Sequence, residues 1–125
     1  MLRGFLGKKV GMSQVFRDNG ELVPVTVIQA GPCAVTQIKS QETDGYNAVQ
    51  LGFGVTKHLN KPEIGHLKDS EPVKHLREVK ADELADYSVG QQINVDIFNV
   101  GEKVDIIGTT KGRGFAGTMK RHGCL

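Results

Sequence analysis

Apolar and polar positions alternate with a period of two along much of this chain. Val23, Val25 and Val27 alternate with Pro24, Thr26 and Ile28, the spacing of a β-strand. Asp18-Asn19-Gly20 precedes that run as a turn signal, and Gln14 to Phe16 is its expected antiparallel partner in a hairpin. Ala30-Gly31-Pro32 stops the strand, because proline has no N–H to give a ladder and glycine tolerates the turn. A new strand is predicted over Cys33 to Lys39, with β-branched Val35, Thr36 and Ile38. Thr43-Asp44-Gly45 turns the chain. Tyr46 to Phe53 returns, with Val49, Leu51 and Phe53 on one face. Turns at intervals of about ten residues predict a mainly β fold, a small sandwich or barrel.

The alternation lapses over 55–88, which reads as an α+β insertion. Asn60 is placed to cap a short helix, with Pro62 in its first turn. Lys74 to Lys80 reads as a strand, and Asp82 to Tyr87 as a turn. Alternation resumes at Ile93, Val95 and Ile97, set against Asn94, Asp96 and Phe98. Gly101-Glu102-Lys103 is a tight connection, and Val104 to Thr109 is predicted to run back as a strand. From 108 onward the chain is glycine-rich and basic.

Length and composition narrow the class. The chain has 125 residues, 38% of them hydrophobic and 24% charged. That is enough apolar content for a core and excludes a disordered chain. No apolar stretch approaches the length of a membrane span or a signal peptide. The expected organisation is one domain over 1–125, with the insertion at 55–88 and a basic extension beginning in 108–125. Cys33 and Cys124 are the two cysteines, too few for a disulfide framework or a four-ligand zinc site, and a reducing compartment is expected.

The formal net charge is only +2, but its distribution is uneven. Residues 1–16 carry Arg3, Lys8 and Lys9 and no acid; residues 108–125 carry Lys111, Arg113, Lys120 and Arg121 and no acid. All 14 acids lie between those ends. Two acid-free basic ends around an ordinary solvated body point to a polyanionic partner.

Gly112-Arg113-Gly114-Phe115-Ala116-Gly117 fits the glycine spacing of a dinucleotide-binding turn. That reading also requires a following helix and an acid about 20 residues on. Met119-Lys120-Arg121-His122 follows instead, and the given sequence stops at Leu125. The same glycines let backbone approach a sugar-phosphate surface, where Lys and Arg neutralise phosphates. Phe115 is either a stacking residue or a core residue. The four histidines are far apart and show no metalloprotease spacing. No catalytic triad, paired catalytic carboxylates or metal set stands out, so neither an enzyme nor a cofactor is expected.

Three stretches then resemble one family. They are Gly7-Lys8-Lys9-Val10-Gly11-Met12-Ser13-Gln14-Val15-Phe16, Val23 to Ile28 leading into Ala30-Gly31-Pro32-Cys33, and Val95-Asp96-Ile97-Phe98 leading into 108–117. With Asp44-Gly45-Tyr46 and Asn60-Lys61-Pro62, they are similar to the bacterial-type large-subunit ribosomal proteins of the L-three family. The resemblance runs from Leu2 to about His122. It implies a translation-protein-type β-barrel with a small α+β insertion, incomplete at its C-terminal side because family members are longer. It also implies a primary binder of large-subunit ribosomal RNA near that RNA's 3′ end, helping to nucleate subunit assembly, in the cytoplasm. Neighbouring large-subunit ribosomal proteins are the other implied partners, with no membrane role. The candidate RNA-contacting residues are Arg3, Lys8, Lys9, Lys61, Lys111, Arg113, Phe115, Lys120, Arg121 and His122. The alternative is a truncated stand-alone β-barrel interaction module.

Overall fold

The structure, a computed structural model, describes residues 2–68 and 70–124. It is mainly β. Strands β1 (Gly7–Phe16) and β2 (Leu22–Ala30) form an antiparallel hairpin. Strand β3 (Cys33–Lys39) begins a second sheet and leads through the one-turn helix α1 (Gln41–Asp44) into β4 (Ala48–Val55). Helix α2 (Lys61–His66) and β5 (Val73–Lys80) follow, then the short β6 (Gln92–Ile93), a 3₁₀ turn at Val95–Ile97 and helix α3 (Thr118–His122). The second sheet is antiparallel throughout, in the order β5-β4-β3-β6.

Alternation explains where the core sits. Val49 and Leu51 on β4 face Cys33 and Val35 on β3, and all four are fully buried. Ala81 and Ile93 complete the buried cluster, with Leu2, Phe5, Leu6, Phe53 and Tyr87 packed around it. Gly52 marks a point where no side chain fits: a Cβ there would lie 2.5 Å from Val73 Cγ2 and 3.0 Å from Thr36 Cγ2. The absence of a side chain lets β3, β4 and β5 approach closely at that position.

The expected insertion is tied into this sheet. Its strand β5 pairs with β4 from Ala48↔Lys80 to Val55↔Val73. Asn60 caps α2 as expected: its side chain accepts from Glu63 N–H at 3.0 Å, and Glu63 Oε2 accepts from Asn60 N–H at 3.3 Å. This reciprocal pair satisfies two donors of the first turn. The helix then docks through buried Leu67 and through His66, whose Nε2 lies 3.3 Å from Gln50 Oε1. Thr36 Oγ1 donates to the same Gln50 side chain at 2.9 Å.

As expected of an incomplete barrel, the strands do not close among the described residues: β1 and β2 pair only with each other, and β6 covers just two residues of the outer edge of β3. Two expectations need correction. The run Ile93 to Phe98 is not one strand. Only Gln92–Ile93 pairs, and the chain then turns through Val95–Ile97. Val104 to Thr109 forms no strand at all and is exposed. The alternation there supplies side chains suited to a pleated surface, but a strand exists only where a neighbouring backbone takes its hydrogen bonds.

Candidate nucleic-acid interface

The basic residues fall into two exposed regions and two isolated positions. Lys8 and Lys9 lie near the start of β1, opposite Gln29 and Ile28 of β2. Consecutive strand residues point to opposite faces, so these two ammonium groups project from opposite sides of the hairpin. The register shifts between Lys9 and Gly11, a bulge of the kind that locally twists a ribbon.

The second region is the C-terminal arm. Residues 104–117 run without regular structure, and Lys111, Arg113 and Phe115 are exposed on it. Phe115 is 94% exposed. Gly117 begins α3, whose last turn carries Lys120, Arg121 and His122. Cations suit a helix C-terminus, where the carbonyl ends are negative, and Gly123 closes the helix in the left-handed conformation at φ +64°. The helix folds back on the arm: Lys120 Nζ donates to Arg113 O at 3.4 Å. Arg113 and Lys120 are thereby brought together on one exposed structure, with Phe115 between them in sequence.

Lys61 stands apart, at the first position of α2. Arg3 also stands apart, and it is not free. Its Nε donates to Asp82 Oδ1 at 3.1 Å, and Nη2 lies 3.0 Å from the same oxygen. A partner 79 positions away leaves no local signal in the sequence. Among the described residues the other ion pairs are Arg17–Glu21 and Lys39 with Asp44 and Glu78. None of them uses Lys8, Lys9, Lys61, Lys111, Arg113, Lys120 or Arg121. Unpaired exposed cations beside a glycine-rich backbone and an exposed aromatic ring form a surface able to neutralise phosphates and stack on a base.

Other chemistry finds little support. Among the described residues, no group of three or more His, Cys, Asp or Glu side chains is placed to hold a metal ion. Cys33 is buried, and burial pushes its thiol above the ordinary range, the opposite of an activated nucleophile. A surface groove of about 490 Å³ is lined by Ala34, Lys68, Ser70, Glu71, Pro72 and Gln92, with no nucleophile–base pair among these described residues. No helix among the described residues is long and apolar enough to cross a membrane.

Comparison with known proteins agrees with the sequence resemblance. The family model described as Ribosomal protein L3 matches residues 73–125. The large ribosomal subunit protein uL3 of Herpetosiphon aurantiacus is 56% identical over 98% of this chain and 59% of its own length. The protein of the same name from Pelotomaculum thermopropionicum is 58% identical over 98% of this chain and 60% of its length. That of Prochlorococcus marinus strain MIT 9515 is 58% identical, covering 96% and 57% respectively. Over nearly its whole length the chain is similar to these ribosomal L3 proteins. It spans about three-fifths of the length of these curated relatives. Both exposed basic regions fall within the stretch shared with those L3 relatives.

Proposed function

We propose that this chain is a structural constituent of the large ribosomal subunit, acting by binding ribosomal RNA rather than by catalysis. The observation that carries the reading is the pair of acid-free basic regions, exposed and without carboxylate partners among the described residues, in a chain similar to ribosomal L3 proteins. Its partners are then large-subunit RNA and adjacent ribosomal proteins, and its location is the cytoplasmic ribosome. The finer role follows the family resemblance: an early contact near the 3′ end of the RNA that helps nucleate assembly. The domain plan that goes with it is one β domain over 1–125, with 55–88 as its insertion and 108–125 as an arm that enters RNA. His122 and Phe115 join the cations of that arm as base- or sugar-facing groups, and Lys61 contributes from the insertion.

Two measurements test it. Co-sedimentation with large subunits separates a ribosomal constituent from a stand-alone module, which would stay in the supernatant. In filter binding to large-subunit RNA, log affinity is expected to fall with log salt at a slope of several units, about 0.9 per phosphate contact on duplex and about 0.7 on single strands. Alanine at Lys111, Arg113, Lys120 or Arg121 is expected to lower affinity more than alanine at Lys57, Lys68 or Lys74, where acids lie nearby in sequence and partly cancel the field. A flat salt response, or equal losses from the two groups, would overturn the electrostatic assignment.

A further inference from the structure

Leu2–Leu6 is a strap laid across the end of the second sheet, and each residue of it makes a defined contact. Leu2 forms an isolated antiparallel bridge with Ala81. Arg3 N–H donates to Lys80 O at 2.9 Å. Gly4 lies so close to β5 that a Cβ would stand 2.8 Å from Val79 Cγ1. Phe5 meets Phe98 edge to face, with ring centroids 5.8 Å apart, and Leu6 O accepts the Cys33 thiol hydrogen at 3.4 Å. Leu2, Phe5 and Leu6 pack on the buried cluster that includes Cys33 and Ala81. The strap therefore covers the core on the side of Cys33, and β1 with Lys8 and Lys9 springs from its end.

One charged side chain lies on the strap. Arg3 turns both Nε and Nη2 onto a single oxygen of Asp82, the residue next to the bridging Ala81. Backbone bond, bridge and ion pair thus follow one another along 80–82. The candidate cations of β1, α2 and the arm have no such partner among the described residues.

We infer that Arg3 is the latch of this strap, held by Asp82, and lies outside the RNA footprint, which toward the N-terminal end of the chain consists of Lys8 and Lys9. Asp82 is then a positioning residue for the segment that carries those two cations. The second half of the inference rests on the RNA-binding reading; the latch itself does not.

Cys33 supplies the readout. With Cys124→Ser as background, Cys33 is the remaining thiol of these 125 residues, and a maleimide reaches it when the strap lifts. Arg3→Gln and Asp82→Asn are each expected to speed its modification roughly two- to five-fold, the range an exposed ion pair provides. The double variant should be no faster than either single one, and the charge-swapped Arg3→Asp/Asp82→Arg chain should recover slow labelling. In parallel, the salt slope of RNA binding should be unchanged by Arg3→Gln and reduced by about 0.7 to 0.9 by Lys8→Gln. Unchanged labelling in both single variants would overturn the latch. A slope lost at Arg3 as at Lys8 would put Arg3 back in the footprint. If the unsubstituted chain binds no RNA, the RNA reading and the footprint statement fall together, while labelling still decides the latch.

Discussion

Tyr46 donates its phenol hydrogen to Glu78 Oε2 at 2.7 Å. Beside that bond, Lys39 Nζ stands 3.8 Å from Glu78 and 3.8 Å from Asp44. This small network joins the end of β3, the α1 turn and the end of β5, and Lys39 is largely covered within it. The Glu78 hydrogen bond, with the negative charges of Glu78 and Asp44, holds the Tyr46 phenol above its ordinary value of 10.0. The folded chain therefore binds this proton more tightly than the unfolded chain. Its contribution to stability is complete below about pH 10 and is lost as pH rises through the folded midpoint. In a Tyr87→Phe chain, Tyr46 is the sole tyrosine. Its ultraviolet titration should have a midpoint above 10, and Glu78→Ala should move that midpoint down. An identical midpoint in both chains would show that the hydrogen bond does not persist in solution. None of this was legible beforehand, because Lys39 and Tyr46 read simply as the end and start of strands.

At the scale of elements, legibility followed the availability of a partner. Cys33 to Lys39 was predicted and found over the same residues, since both neighbours, β4 and β6, are near in sequence or forced there by the core. The Asn60 cap and Pro62 placed α2 because capping is a local event. The predicted Thr43-Asp44-Gly45 turn is the end of a one-turn helix, closed by Gly45 at φ +83°. By contrast, Val104 to Thr109 has the same β-prone character as β2 but no backbone partner among the described residues. Of the candidate interface, the two basic ends were legible from charge alone, whereas the capture of Arg3 by Asp82 needed the fold. Hydrogen exchange should separate these cases. Amides of Val35 and Leu51, buried in the second sheet, should be protected far longer than those of Val104 to Ile107, which should exchange within seconds. Comparable protection in 104–107 would mean that this run finds a strand partner in solution.

The whole molecule combines a small, well-packed sheet with a hairpin that has little cover. Val15 and Val27 line one face of β1–β2, and Met12, Phe16 and Leu22 line the other; all five are exposed, Phe16 by 75%. A two-stranded ribbon with apolar residues on both faces and, among the described residues, no strand at either edge is marginal alone in water. Such edges and patches favour pairing with another chain. Opposing this, Lys8 and Lys9 place like charges on the same hairpin, and those charges repel a second copy. The chain by itself is accordingly expected to self-associate as its concentration rises, and more readily at high salt, where screening shortens the repulsion to a few ångströms. Sedimentation velocity over a concentration series should show the average mass increasing, and Phe16→Glu together with Met12→Lys should hold the chain monomeric. Saturating large-subunit RNA should suppress the association by occupying the basic surface and fixing each chain on a separate polyanion. A chain that stays monomeric at every concentration in high salt, with a sharp and concentration-independent melt, would show that the hairpin is stable without a covering partner and would favour the stand-alone module over the ribosomal constituent.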